Sequence, residues 1–252
     1  MKREPIDTVL FDLDDTLHDD SAAYKAAARR VAADVAAERG LDAEHVFAAY
    51  VTAANRFWKT LSNENLAIPI QDSRAALWHE ALAAAGADDA ALAVRCADRY
   101  IAYRTEVLAL SPGALDLLLA LRARGCTIGI VSNGFAATHH EKIDRLALRA
   151  HIDGLFLADE MGMVKPDPRV FEHACAVLGA APARTAMVGD RYDRDIIGAH
   201  DAGLFTVWLD VRGTPLPAGA VPPDATVTTI GAVLDVLPLA ARQEASGIAP
   251  NH

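Results

Sequence analysis

A strand that runs straight into a cluster of carboxylates constrains this chain more than any other feature. From Val9 it reads VLFDLDDTLHDD: three apolar residues, then Asp12, Asp14 and Asp15, with His18, Asp19 and Asp20 close behind. Like charges at that density repel and push up one another's pKa values. Such a segment must therefore end in a solvated loop or gather around something cationic. The rest of the sequence decides between the two.

Two textures divide the 252 residues. From about Ser21 to Tyr103 the chain is rich in alanine and spaced for helices. SAAYKAAARRVAADVAAERG places Tyr24, Ala27, Ala28, Val31 and Val35 on one face, with Gly40 as the C-cap. AEHVFAAYVTAANRFWKTL, SRAALWHEALAAAGA and ALAVRCADRYIAYRTEVL repeat the pattern, so four helices with short joints predict a small bundle. Trp58 and Trp78 are expected to pack inside it.

After Leu110 the texture changes to alternating helices and apolar strands. SPGALDLLLALRARG predicts a helix capped by Ser111 with Pro112 at its first position. CTIGIVSNG, GLFLADE, TAMVGD and FTVWLDV read as strands, separated by helices at about Thr138 to Leu146, DPRVFEHACAVLG and RDIIGAHDAG. Buried strands alternating with helices imply a parallel sheet with right-handed crossovers. The expected architecture is a three-layer α/β core, residues 1–17 and 108–240, with the helical bundle, 18–107, inserted after the first strand. Residues 241–252, polar and small, are expected to form a frayed tail.

With 52% hydrophobic residues the chain can bury a full core, and a net charge of −10 argues against a nucleic-acid polymer as partner. Cys96, Cys126 and Cys175 are far apart and form no CxxC pair, which fits a reducing compartment. The apolar run after Thr8 is too short for a signal-peptide core, and no later segment reaches membrane-spanning length. A cytoplasmic protein with no membrane partner is the expectation. Oligomeric state leaves no trace in the sequence.

In an open parallel sheet, ligands bind beyond the carboxyl ends of the strands. Here those ends carry Asp12 and Asp14, then Ser132 and Asn133, then Asp190 after Gly189, with Asp195 five residues on. A loop, MVKPDP, adds Lys165. Three carboxylates and a lysine at one edge suit a hard divalent cation and a phosphoryl group, since Mg2+ takes carboxylate oxygens and leaves room for water and phosphate.

The sequence Asp12-Leu13-Asp14-Asp15-Thr16, followed by Ser132, Lys165 and Gly189-Asp190 with Asp195, resembles the four ordered motifs of the haloacid dehalogenase superfamily. The resemblance covers nearly the whole chain, and the bundle resembles the family's type 1 cap on a Rossmann-like core. What it implies is a Mg2+-dependent phosphatase acting on a small phosphorylated metabolite. Asp12 would be the nucleophile that forms an aspartyl-phosphate. Asp14 would be the general acid–base, its backbone carbonyl on the metal. Ser132 and the backbone N–H of Asn133 would hold phosphoryl oxygens, and Lys165 would neutralise charge on them and on Asp12. Asp190 would bind Mg2+, and Asp195 would orient its waters or pair with Lys165. Thr16 and Gly189 belong to the supporting motif positions.

Several neighbours read as structural. Asp15 is expected to be a turn acid, and His18 to lie in a solvated hinge. His139 and His140 point about 100° apart on a helix, so they are expected on the surface. Lys59 and Arg74 are expected there too. Within the same superfamily, a phosphomutase uses the same residues, and a dehalogenase attacks carbon without metal and lacks the second acid. A phosphoryl-accepting signalling domain also uses acids, a lysine and Mg2+, but has no use for Asp14 and no inserted bundle.

Overall fold

The structure is a computed structural model and describes residues 4–240; the expected tail, 241–252, lies outside the described residues. The chain opens with β1 (Thr8–Phe11), then five helices: α1 (Asp20–Arg39), α2 (Ala43–Lys59), α3 (Asn63–Leu66), α4 (Ile70–Ala84) and α5 (Ala90–Glu106). The alternating half follows as α6 (Ala114–Arg122), β2 (Thr127–Ser132), α7 (Ala136–Arg145), β3 (Gly154–Leu157), α8 (Ala158–Met161), α9 (Pro168–Leu178) and β4 (Thr185–Gly189). It closes with α10 (Ile197–Asp201), β5 (Phe205–Leu209), β6 (Ala225–Val227) and α11 (Val233–Val236).

The six strands form one sheet in the order β3-β2-β1-β4-β5-β6, and every pairing is parallel. Strand alternation sends Val9 and Phe11 to one face and Leu10 to the other. The first face packs with Ile128, Ile130, Ala186, Val188 and Val207 under α6 and α11. The second packs with Val131, Met187 and Phe156 under Phe171 and Ala174 of α9. Helices therefore cover both sides, as the continuous apolar strands require. β1 and β4 are adjacent in the centre, and the chain winds away from them in opposite directions. That makes the gap between their carboxyl ends the topological switch point, where such sheets bind ligands.

The inserted helices build an apolar core of their own. Val31, Val35, Val46, Tyr50, Trp78, Leu82, Leu92 and Cys96 are buried together there. Tyr50 stacks on Trp78 with ring centroids 4.0 Å apart, and Tyr100 leans on Tyr50 at 5.6 Å. Side-chain caps start three of the helices: Asp19 accepts from Ala22, Asp42 from Glu44, and Asp89 from Leu92. Gly40 closes α1 in the left-handed region at φ 68°, as its position predicted. The chain leaves and re-enters the sheet at one place, where His18 bridges Leu110 and the Ser111 N–H donates to the Leu17 carbonyl at 2.9 Å.

That last bond explains one difference from the expected elements. Ser111 does not cap α6: its N–H is held by Leu17, and the helix starts three residues later behind Gly113 at φ 86°, with no side-chain cap. Strand β6 also went unforeseen, because three residues among prolines carry no periodic signal. Trp58 departs from expectation too. It is 40% exposed at the end of α2, edge-on to Phe135 of the sheet unit, and outside the bundle core.

Trp78 is fully buried against Tyr50 and Tyr100, so Trp78→Ala is expected to cost about 3–5 kcal/mol. Chemical denaturation of the two proteins checks this, and a loss below about 1 kcal/mol would contradict the packing described.

Candidate active site

Beyond the switch point, the four segments singled out in the sequence meet. One ligand oxygen each from Asp12, Asp190 and Asp195 lies within 4.8 Å of the others. Lys165 reaches them from its loop: its buried Nζ donates to Asp12 Oδ1 at 2.7 Å and to the Val131 carbonyl at 2.8 Å. It also lies 2.7 Å from Asp195 Oδ1. Two acceptors and one ion-pair partner thus surround the ammonium. The loop carrying Lys165 is pinned in turn by the Asn133 amide, which donates to the Lys165 carbonyl at 2.8 Å and accepts from its N–H at 2.7 Å. The side chain of Asn133 thus positions the lysine, a task its motif position had not announced.

Asp195 approaches because a π-helical turn, Tyr192–Ile196, folds it back over β4. Gly189 makes that possible: a Cβ there would run into the Asp195 carboxylate. Asp195 Oδ2 then accepts from the Arg191 N–H at 2.9 Å. Thr16 is wholly buried in the turn after β1.

Three carboxylates against one ammonium leave two negative charges uncompensated. Burial, outweighing the pull of Lys165, pushes the Asp12 carboxyl up to about 7, and Asp195 and Asp14 add to the rise. Burial, then Asp12 and Asp195, push Asp190 up to about 9. Asp190 Oδ1 is buried with no hydrogen-bond partner among the described residues. A crowd of hard oxygens that resist ionising together and an orphaned lone pair fit a divalent cation.

Asp14 points elsewhere. Its carboxylate accepts two hydrogen bonds from Lys142 Nζ, at 2.6 and 2.7 Å, and stands 3.3 Å from His18 Nε2. Burial and Asp20 push its pKa up, but Lys142, His139 and His18 outweigh them and hold it well below the usual carboxylate range. Asp20 joins the group: it pairs with Arg104, lies 3.0 Å from Lys142 and 3.2 Å from His18. Asp14, His18 and Asp20 have the spacing of a metal site. The protein's own lysine and arginine already occupy the space between them.

Three expectations are corrected here. His18 is fully buried between Asp14 and Asp20, not in a solvated hinge, because the chain crosses back beside it at Leu110. His139 is buried as well: Nδ1 lies 3.1 Å from the Phe135 carbonyl and Nε2 3.0 Å from Ser132 Oγ. Burial pulls its pKa down to about 4, so the ring is neutral. A carbonyl can only accept, so Nδ1 carries the proton and Nε2 accepts a hydrogen bond from the Ser132 hydroxyl. His140 is exposed as expected, 3.0 Å from Glu160. Arg74, expected on the surface, is half-buried and faces the site, donating to Thr138 Oγ1 at 3.0 Å. Asp15 does behave as a turn acid: at φ 63° it accepts from the N–H and hydroxyl of Ser21.

Lys142 and His139 were missed, although one signal could have found them. Phe135, His139, Lys142, Ile143 and Leu146 recur at helical spacing, and all are buried. Reading that stripe as an inward face would have carried the lysine and the first histidine with it.

Above these groups lies a cavity of about 230 Å3 between the sheet's rim and the helices. Tyr50, Trp58, Arg74 and Tyr100 come from the helical side, and Phe135 and Arg194 from the sheet side. Arg194 donates to the Trp58 backbone carbonyl at 2.6 Å and ties the two sides together.

The arrangement of sheet, inserted helices and converging acids is that of a known hydrolase class. The sequence profile described as haloacid dehalogenase-like hydrolase matches residues 6–203, and this chain belongs to that family. It is similar to pyrimidine 5'-nucleotidase YjjG of Escherichia coli (strain K12), 36% identical over 126 residues, 50% of this chain and 56% of that protein. The chain thus spans little more than half the length of that relative. Glyceraldehyde 3-phosphate phosphatase of Methanopyrus kandleri is 32% identical over 214 residues, 80% of this chain and 83% of that protein. Among solved structures, the HAD-hydrolase YfnB from Bacillus subtilis, bound to magnesium, shares the fold with a TM-score of 0.74 and 23% identity. That likeness covers 93% of this chain and 99% of the other. Among the described residues, no helix is long and apolar enough to cross a membrane.

The raised carboxyls yield a prediction with a definite sign. Without a cation, Asp12 and Asp190 hold protons in the folded state that they lose in the unfolded chain above their ordinary value of 3.8. That part of the stability therefore falls as pH rises through about 7 and about 9. A divalent cation removes the penalty, so its effect on Tm is expected to be larger near pH ~8 than near pH ~5. Thermal melts with EDTA and with Mg2+ at both values test this. Equal shifts at the two would place the ion elsewhere.

Proposed function

We propose that this chain is a Mg2+-dependent phosphatase that hydrolyses a small phosphomonoester, such as a sugar phosphate or nucleoside monophosphate, through an aspartyl-phosphate on Asp12. The observation that carries the reading is the meeting of Asp12, Asp190, Asp195 and Lys165 at the switch point, with Asp14 two residues from Asp12 yet turned away from that cluster. Two relatives named for hydrolysing phosphomonoesters, a nucleotidase and a triose phosphate phosphatase, support it.

Mg2+, held by Asp12, Asp190 and the Asp14 backbone carbonyl, would screen the charge of the phosphoryl oxygens. The chain's own residues do the rest. The Asp12 carboxylate attacks phosphorus, forming one P–O bond while the bond to the leaving oxygen breaks. Lys165, already on Asp12 Oδ1, fixes which oxygen remains free to attack and balances the charge that moves onto the phosphoryl group. Ser132 must turn its hydroxyl from His139 to donate to a phosphoryl oxygen, beside the N–H of Asn133.

Asp14 has two tasks of opposite sign. It gives a proton to the leaving oxygen, then takes one from the water that attacks the aspartyl-phosphate and frees Asp12. The Lys142 pair keeps it ionised, which is the form the second step needs. Arrival of an anionic phosphoryl group raises its proton affinity, which provides for the first. A dehalogenase has no leaving oxygen to protonate, so the Asp14 network argues against that chemistry. The same network argues against a phosphoryl-accepting signalling domain, which needs no rapid turnover.

Phosphate release from p-nitrophenyl phosphate is expected in Mg2+ and not after EDTA treatment. Asp12→Asn should abolish it, and full activity in that variant would sink the reading. Asp14→Asn is expected to slow turnover about 100-fold or more. Unchanged kcat there would remove Asp14 from the proton transfers.

A further inference from the structure

Most cations around the cavity have a carboxylate partner; Arg74 and Arg194 have none among the described residues, and of these only Arg74 comes from the inserted helices. Lys165 has Asp12 and Asp195; Lys142 has Asp14 and Asp20; Arg104 has Asp20. Arg194 is tied to the Trp58 carbonyl at the rim. Arg74, half-buried at the start of the second turn of α4, has no carboxylate within ion-pair distance among the described residues. Among the described residues its one hydrogen bond goes from Nη2 to the neutral Thr138 hydroxyl. Its guanidinium carbon lies 6.0 Å from the Tyr100 ring, so an aromatic face helps to fix its position. A desolvated guanidinium without a counter-charge is unfavourable, and most of its five donors are left for another acceptor.

The position of Thr138 says where that acceptor would sit. Thr138 is one turn of α7 ahead of Lys142, the lysine on Asp14, which is about 6 Å along the helix axis. Arg74 therefore lines the same cavity as Asp14, the group assigned to protonate the leaving oxygen, through neighbouring positions on one face of α7. A planar fork of N–H donors matches a carboxylate or a phosphate, and binds either through two parallel bonds.

Resting on the phosphatase reading, we propose that Arg74 is a specificity residue that receives a second anionic group, carboxylate or phosphate, on the leaving alcohol. The substrate class is then a phosphomonoester of a small acidic alcohol. Thr138 holds the guanidinium in place while the cavity is empty. Neutral alcohols leave the Arg74 charge unmatched and are turned over less efficiently.

Matched substrate pairs test this in the full-length protein. 3-Phosphoglycerate against glycerol 3-phosphate varies a carboxylate, and 1,3-propanediol bisphosphate against propyl phosphate varies a second phosphate. The wild-type kcat/KM is expected to favour the anionic member of at least one pair, and which pair tells carboxylate from phosphate. Arg74→Gln should lower that anionic-to-neutral ratio by about 10- to 100-fold, chiefly through KM. Arg74→Lys should recover part of it, because charge is kept and the fork is lost. A ratio of two substrates on one preparation does not depend on how much of the variant is folded. No anionic preference in the wild type, or a ratio unmoved by Arg74→Gln, would overturn the assignment while leaving the phosphatase standing. Failure to hydrolyse any ester, p-nitrophenyl phosphate included, would overturn both.

Discussion

The contact on which the site depends is the Lys165 ammonium, hydrogen-bonded to Asp12 and the Val131 carbonyl and paired with Asp195. Each partner comes from a different part of the chain: the end of β1, the turn after β4 and the penultimate residue of β2. A buried lysine is tolerated only with such partners, and a buried trio of carboxylates only with such a lysine. The contact therefore locks three segments into one register and leaves a residual negative charge at a defined place. The sheet supplies that place, because a parallel arrangement centred on β1 and β4 opens a crevice between their ends.

Around this point the protein separates two electrostatic problems that lie two residues apart. Asp12 sits where burial and like charges raise its proton affinity; Asp14 sits where Lys142, His18 and His139 lower it. The left-handed turn at Asp15 follows directly, and the Ser21 N–H and hydroxyl fasten that turn to the start of the first inserted helix. The inserted helices thus help to shape the acid–base environment as well as covering the site. Arg104 of α5 and Asp20 of α1 extend the same charge network into them.

Much of this was legible from residue order. The four motif segments fall at strand ends or in a loop, where position is set by local pattern, so Asp12, Ser132, Lys165 and Asp190 could be placed together. The sheet and the bundle followed from periodicity. The inward face of α7 was there to be read in its stripe, but the partners that give its residues their roles, Asp14 for Lys142 and Ser132 for His139, come from tertiary contact, as do the Asn133 amide clamping Lys165 and Arg74 turned inward. A histidine pair on a polar-looking helix reads as surface until the neighbour that covers it is known. Trp58 misled for the same reason, since an aromatic at helical spacing does not reveal which of two bodies it faces.

The separate apolar core of the inserted helices has a consequence for how such an enzyme changes over generations. Tyr50, Trp78 and their neighbours are held by one another and share no cluster with the residues under the sheet. Under the proposed function, drift among the helical positions that look down on the crevice would retune which alcohol is accepted and leave the Asp12–Lys165 cluster untouched. Divergence in diet and constancy in chemistry would follow from the same partition.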